Sequence, residues 1–286
     1  MNIDDAVKGF PRRSPETHKG DLGHILVIAG SSGYTGAAYL TAQASALSGS
    51  GLVTLAVGKG ILSILAVKLT EVMVRPFFET KDSSLSLLAE KDLISFSQKC
   101  DVLAMGPGIS QNKETQGLVR DLISRIELPI VLDADGINAC VGHLEILKNA
   151  RSGLVLTPHE GEMASLSGLD KKDISQNRKD VALKFASEYN TVLVLKGHNT
   201  IVVSPTGDFY VNQTGNAGMA TGGMGDILTG MIASFIGQGA EPYNAAVLGV
   251  YFHGLAGDMA LKDKGALGLV ATDILNNLPE VLKTLG

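Results

Sequence analysis

"HILVIAGSSGYTGAAYLTAQASAL", residues 24 to 47, starts as an apolar run, turns through glycines and ends in small residues. Its opening "HILVIAG" reads as a buried strand, because the run is apolar without alternating and so suits a strand covered on both faces. Its end, "GAAYLTAQASAL", reads as a helix of small side chains. The same theme returns along the chain. "LVTLAV" (52–57), "DVLAMG" (101–106), "PIVLDAD" (129–135), "GLVLTP" (153–158) and "TVLVLKG" (191–197) are short apolar runs, most of them closing in turn residues, with helical stretches between them. Strands alternating with helices predict βαβ units: an α/β fold whose mainly parallel central sheet is flanked by helices on both faces. "NTIVVSPTGDFYVN" (199–212) differs, and predicts an antiparallel hairpin turning around Ser204 to Gly207. From 222 to 286 the pattern is helical. With no linker, repeat or low-complexity segment, residues 1–286 read as a single domain, with 1–20 a polar lead-in over the surface.

Composition narrows the class. Among 286 residues, 45% are hydrophobic and 19% charged, enough for a sizeable core and unlike a disordered chain. A net charge of −5 gives no footprint for nucleic acid. Cys100 and Cys140 have no metal-ligand spacing and suggest no disulfide framework, which points to a reducing compartment. The amino terminus lacks the apolar core of a secretory signal, and no run is long enough to span a bilayer. The expectation is a soluble, cytoplasmic protein with no membrane or nucleic-acid partner.

In open α/β sheets, functional residues gather at the carboxyl ends of strands, and the unusual residues of this chain lie there. "GSSGYTG" (30–36) follows a strand and opens a helix, but its spacing is not that of a dinucleotide fingerprint. The next strand also ends in Gly58 and Lys59, with no acid for a ribose. A glycine wall that lets a ligand approach the backbone is the better reading. "MGPGIS" (105–110) offers Gly106 and Gly108 either as a tight turn fixed by Pro107 or as ligand contacts. "VLDADGIN" (131–138) supplies Asp133, Asp135 and Asn138, as caps of the next helix or as oxygens for hydrated magnesium. "LTPHEGEM" (156–163) groups His159, Glu160 and Glu162 in one short loop, a clustering that suggests function rather than capping. "VLKGHNT" (194–200) puts Lys196 at a strand end, its stem buried and its head free for a phosphate, so that the side chain serves a ligand and not the fold.

"NAGMATGGMGDILTG" (216–230) is the strongest signal. Gly222, Gly223, Met224 and Gly225 can aim successive backbone amides at an oxyanion, with a helix dipole behind them. Such a cradle suits a transferring phosphoryl group. Asp226 cannot be there to bind that anion, since like charges repel. It can instead take the proton of the hydroxyl that attacks the phosphorus, as general base.

A glycine-rich anion hole followed by Asp at the start of a late helix resembles the ribokinase-like superfamily. Within it, "GHILVIAGSSGYTGAA", "GPG", "VLDADGIN", "LTPHEGE", "VLKG" and "NAGMATGGMGDILTG" are together similar to the NAD(P)H-hydrate dehydratase family, in that family's order, over about residues 20 to 280. The resemblance implies a ribokinase-like fold and ADP- or ATP-dependent dehydration of (6S)-NADHX or NADPHX to NADH or NADPH, with magnesium. The hydrate hydroxyl would be phosphorylated with the help of Asp226, and phosphate would then leave. By the same resemblance, Ala37, Gly106, Gly108, His159 and Asp226 would line the hydrate site. Lys196, Gly197, His198, Asn199, Thr200 and Gly225 would hold the adenine nucleotide, and Glu162 would reach the magnesium through water. The family's frequent GPGxG ends here in Ser110. A separate NAD(P)H-hydrate epimerase would be the functional partner, because only about 20 residues precede the first strand, too few for such a domain. The resemblance also implies a homo-oligomer, a tetramer. Two rivals stand beside this reading: a ribokinase-like kinase for a thiazole or pyrimidine alcohol, and a non-catalytic nucleotide sensor, which would need phosphate contacts but no base.

Overall fold

The computed structural model describes residues 3–285. Its first half contains α1 (Ile3–Lys8), β1 (His24–Ile28), α2 (Thr35–Leu47), β2 (Leu52–Gly58), α3 (Lys59–Lys68), β3 (Met73–Phe77), α4 (Glu90–Ser97), β4 (Val102–Met105) and α5 (Lys113–Arg125). The middle contains β5 (Ile130–Leu132), α6 (Asp135–Asn138), β6 (Leu154–Leu156), α7 (Glu160–Ser167), α8 (Lys171–Gln176), α9 (Arg178–Tyr189) and β7 (Val192–Leu195). After β8 (Ile201–Val203) and β9 (Phe209–Val211), the chain ends in α10 (Met224–Gly237), α11 (Pro242–Gly268) and α12 (Ala271–Val281).

The nine strands among the described residues form one sheet in the order β3-β2-β1-β4-β5-β6-β7-β8-β9. Pairing is parallel from β3 to β7, and β8 and β9 extend that edge antiparallel, so the predicted hairpin is present. Period-two alternation splits the strand residues between two cores. Ile25, Val27 and Val131 pack with α2, α3, α10, α11 and α12 on one face. Leu26, Ile28, Leu132 and Leu156 pack with α4 to α9 on the other. Both faces are thus covered, which is why the strands read as unbroken apolar runs. One strand was not anticipated. β3 is the parallel edge, and four of its five residues are exposed or half-buried, so "MVRPF" carries no core signal; Pro76 is tolerated because an edge can spare a donor.

Candidate active site

α10 begins at the carboxyl ends of the strands, as the sequence predicts. Gly223, its N-cap, has φ 91°, a left-handed conformation that favours glycine, and a side chain there would collide with Leu40 and Ala271. The first intrahelical bond runs from the Ile227 amide to the Gly223 carbonyl, at 3.3 Å. Among the described residues no hydrogen bond engages the amides of Gly222, Gly223, Met224, Gly225 or Asp226. Those donors form an open, electropositive turn, the arrangement that takes an anion. Asp226 is half-buried beside it. Burial foremost, then the charge of Asp133, pushes its carboxyl up to about 6, against the opposing pull of Lys196. A carboxylate tuned near neutrality can both take and release a proton.

Lys196 corrects the expectation of a free head. Its Nζ donates to Oδ1 of Asp133 at 2.6 Å and stands 4.0 Å from Oε2 of Glu162. Asp133 is 1% exposed and also accepts from the Thr229 hydroxyl at 3.0 Å. Burial alone would raise the Asp133 carboxyl, but the Lys196 charge and hydrogen bonds from Lys196, Thr157 and Thr229 hold it below its usual range. Burial alone would lower the Lys196 ammonium, but Asp133 and Glu162 outweigh it and its pKa is raised. Lys196 therefore serves the fold as well as the site. Asp133, for its part, neither caps a helix nor faces solvent.

The loop after β7 turns under a brace. Arg178, at the start of α9, pairs with Glu160 and donates to the Leu195 carbonyl at 3.0 Å. Thr200 Oγ1 donates to the Gly197 carbonyl at 2.9 Å. Beside this loop lies a cavity of about 470 Å³, walled by Lys196 to Thr200, residues 212–217, Met224, Gly225, Leu228 and His253. The structure thus brings together Lys196, Gly197, His198, Asn199, Thr200, Met224 and Gly225 as one wall, while Asp226, Gly222 and Gly223 lie outside the lining. His253 was missed from sequence, being a lone histidine in a helix pattern. It is buried, its Nε2 has no hydrogen-bond partner among the described residues, and burial pushes its pKa down to about 4, so the ring is neutral.

On the β1 and β4 side, the two glycine loops meet. The Gly30 amide donates to the Pro107 carbonyl and Ser31 Oγ to the Gly108 carbonyl, both at 2.8 Å. Gly108, at φ 63°, has room for no side chain: a Cβ would lie 2.8 Å from the Cβ of Tyr34 and 3.0 Å from that of Ala37. Ala37 and Gly108 are therefore neighbours, and Gly106 abuts the Asp133 carbonyl. Ser110 sits at φ 70°, held by a bond from its amide to Asp135 Oδ2 at 3.1 Å. That left-handed backbone is the physical reason a glycine suits the position. His159 caps α7: its Nδ1 accepts from the Glu162 amide at 3.1 Å, while Glu162 Oε2 accepts from the His159 amide at 2.8 Å. The cluster in "LTPHEGEM" is thus a capping box, with Glu162 also turned toward Lys196. Burial raises the Glu162 carboxyl more than Lys196 lowers it.

The family model of NAD(P)H-hydrate dehydratase matches residues 25–280. The bifunctional NAD(P)H-hydrate repair enzyme of Moorella thermoacetica is 46% identical over 96% of this chain and 52% of its own length. The chain thus spans about half the length of the bifunctional relatives it matches. The ADP-dependent (S)-NAD(P)H-hydrate dehydratase of Xanthomonas campestris is 32% identical over 98% of this chain and 95% of its own. Among solved structures, the ADP/ATP-dependent NAD(P)H-hydrate dehydratase of Bacillus subtilis, co-crystallised with ATP/Mg2+, superposes with a TM-score of 0.84 at 27% identity, covering 100% of this chain and 98% of that one. A ribokinase from Thermotoga maritima shares the fold alone, with a TM-score of 0.57 at 16% identity over 91% of this chain and 99% of its own. The fold is ribokinase-like, and the chain belongs to the NAD(P)H-hydrate dehydratase family.

Proposed function

We propose that the chain repairs hydrated nicotinamide nucleotides, using ADP or ATP to convert (6S)-NADHX or NADPHX back to NADH or NADPH. The observation that carries this reading is the open amide turn at the start of α10, with half-buried Asp226 beside it and the Lys196 ammonium against Gly225. The nucleotide occupies the cavity along Lys196 to Thr200, with Gly225, and its terminal phosphoryl group meets the amides of Gly222 to Gly225. The hydrate lies against Ala37, Gly106, Gly108 and His159, with its hydroxyl at Asp226. That hydroxyl attacks the terminal phosphorus: a new O–P bond forms, the bond to the nucleotide's bridging oxygen breaks, and Asp226 accepts the proton. The carbon–oxygen bond then breaks with release of phosphate, a far better leaving group than hydroxide; the ring nitrogen's electron pair stabilises the carbon left behind, and loss of a proton from the adjacent ring carbon forms the carbon–carbon double bond of the reduced nicotinamide.

No group of three or more His, Cys, Asp or Glu side chains among the described residues is arranged to hold a metal ion. Magnesium keeps most of its waters and takes one or two carboxylates plus substrate phosphates, so the single carboxylate of Glu162, through water, fits it. Bound there, the ion would neutralise phosphate charge. No helix among the described residues is long and apolar enough to cross a membrane. The proposal places the reaction in the cytoplasm. A hydrate epimerase activity as functional partner and a homotetramer complete the proposal; the name "bifunctional" on relatives twice as long supports a second activity working beside this one.

The test is direct. Purified protein incubated with NADHX and each nucleotide should restore the absorbance of reduced nicotinamide and release free phosphate. A stable phosphorylated alcohol would point to a kinase, and binding without turnover to a sensor.

A further inference from the structure

Thr229 is buried one turn into α10, and nothing in the chemistry above uses it. Its hydroxyl lies 3.1 Å from the Gly225 carbonyl four residues back, a bond that by itself satisfies a helical threonine. It also lies 3.0 Å from Oδ2 of Asp133, whose other oxygen takes the Lys196 ammonium at 2.6 Å. One buried carboxylate just past β5 thereby holds two elements at once: the cation that follows β7 and, through Thr229, the second turn of α10. The space between them is full. A Cβ on Gly225 would stand 3.1 Å from the Lys196 Nζ and 3.3 Å from Asp133 Oδ2.

We propose that Thr229, acting through Asp133, is a positioning residue that sets the separation between the Lys196 ammonium and the open amides of α10, so that both grip the terminal phosphoryl group together. This rests on the nucleotide reading above. A phosphate held by preorganised donors costs no rearrangement at the moment of transfer, and a small misplacement is expensive. Without the hydroxyl, Asp133 keeps Lys196 and Gly225 keeps its helix, but the start of α10 loses this tie to the ion pair.

The experiment measures binding of AMP, ADP and ATP by calorimetry, together with NADHX turnover, for the parent, Thr229→Val, Thr229→Ala and Thr229→Ser. Because AMP lacks the phosphoryl group that this grip holds, its affinity should stay within about twofold. ADP and ATP affinity and kcat should each fall about tenfold in the Val and Ala variants, the size of a lost hydrogen bond to a charged group. The Ser variant should recover both. Parent-like turnover in Thr229→Val, or equal weakening of AMP and ATP, would overturn the proposal while leaving the nucleotide reading intact. A parent that binds no nucleotide would overturn both.

Discussion

The rim above the sheet is built from two materials. Along β1 and β4 it is backbone: Gly30, Gly33, Gly106, Gly108 and Ser110 all have positive φ, and the two loops bond carbonyl to amide and hydroxyl. Along β5, β6, β7 and α10 it is charge: Asp133, Glu162, Lys196 and Asp226 share one corner. The backbone half is sensitive to volume and to φ; the charged half is sensitive to the loss of a partner. Within the charged half two aspartates diverge. Asp133 is held low by its partners, whereas Asp226 is pushed up. Environments that drive two like groups apart suit them to different tasks: Asp133 is the counter-ion of Lys196, and Asp226 is the group proposed above as proton acceptor.

Asp226→Asn tests that division with the largest expected effect. NADHX turnover should drop roughly 10²–10⁴-fold, the worth of a general base. In the parent, turnover should fall as pH drops through about 6, where Asp226 takes up a proton, and a pH–rate profile should show that limb. The stability sign is the reverse. A carboxyl whose folded pKa lies above its unfolded value stabilises when protonated, and that contribution is lost as pH rises through the folded pKa. At pH 7 the Asn variant should therefore gain on the order of 1 kcal/mol in denaturant unfolding, a discounted share of what such a shift is worth.

Lys196→Met keeps the apolar stem but leaves Asp133 buried without its cation. Breaking a buried pair from one side costs about 3–5 kcal/mol, so urea denaturation should show a loss of that order. Adding Asp133→Asn should return most of it. If the single variant is as stable as the parent, the charged half is no scaffold. The smallest effect belongs to the backbone half. Ser110→Gly relieves a left-handed φ, but it also loosens the unfolded chain and drops a hydroxyl 3.2 Å from Ser84 Oγ. The midpoint of thermal unfolding should move by the equivalent of less than about 1 kcal/mol, with activity unchanged.

The backbone half was the more legible in sequence, because glycine at a strand end announces a turn whatever surrounds it. "GSSGYTG" and "GPG" could each be placed from their own residues. The charged half was legible as a set of candidates but not as a network. Asp133 and Lys196 are far apart in the chain, and only the parallel stacking of β5, β6 and β7 brings their ends together. From "VLKG" alone the lysine head looked available. Nor could "LTPHEGEM" reveal that His159 and Glu162 spend hydrogen bonds on each other's amides. His253 and Thr229 carried no local signal, since each sits inside an apolar helix pattern. β3 escaped for the opposite reason: an edge needs neither alternation nor a buried run.

The sheet's antiparallel extension has a consequence for how occupancy would show itself. β8 and β9 are three residues each, and the segments flanking them, 196–200 and 212–217, are two walls of the 470 Å³ cavity. A container hung from such short ribbons borrows rigidity from whatever fills it. Saturation and the integrity of that margin are then coupled, and slowed solvent exchange of amide protons at 201–203 and 209–211 would register a bound guest even where no catalytic group has moved.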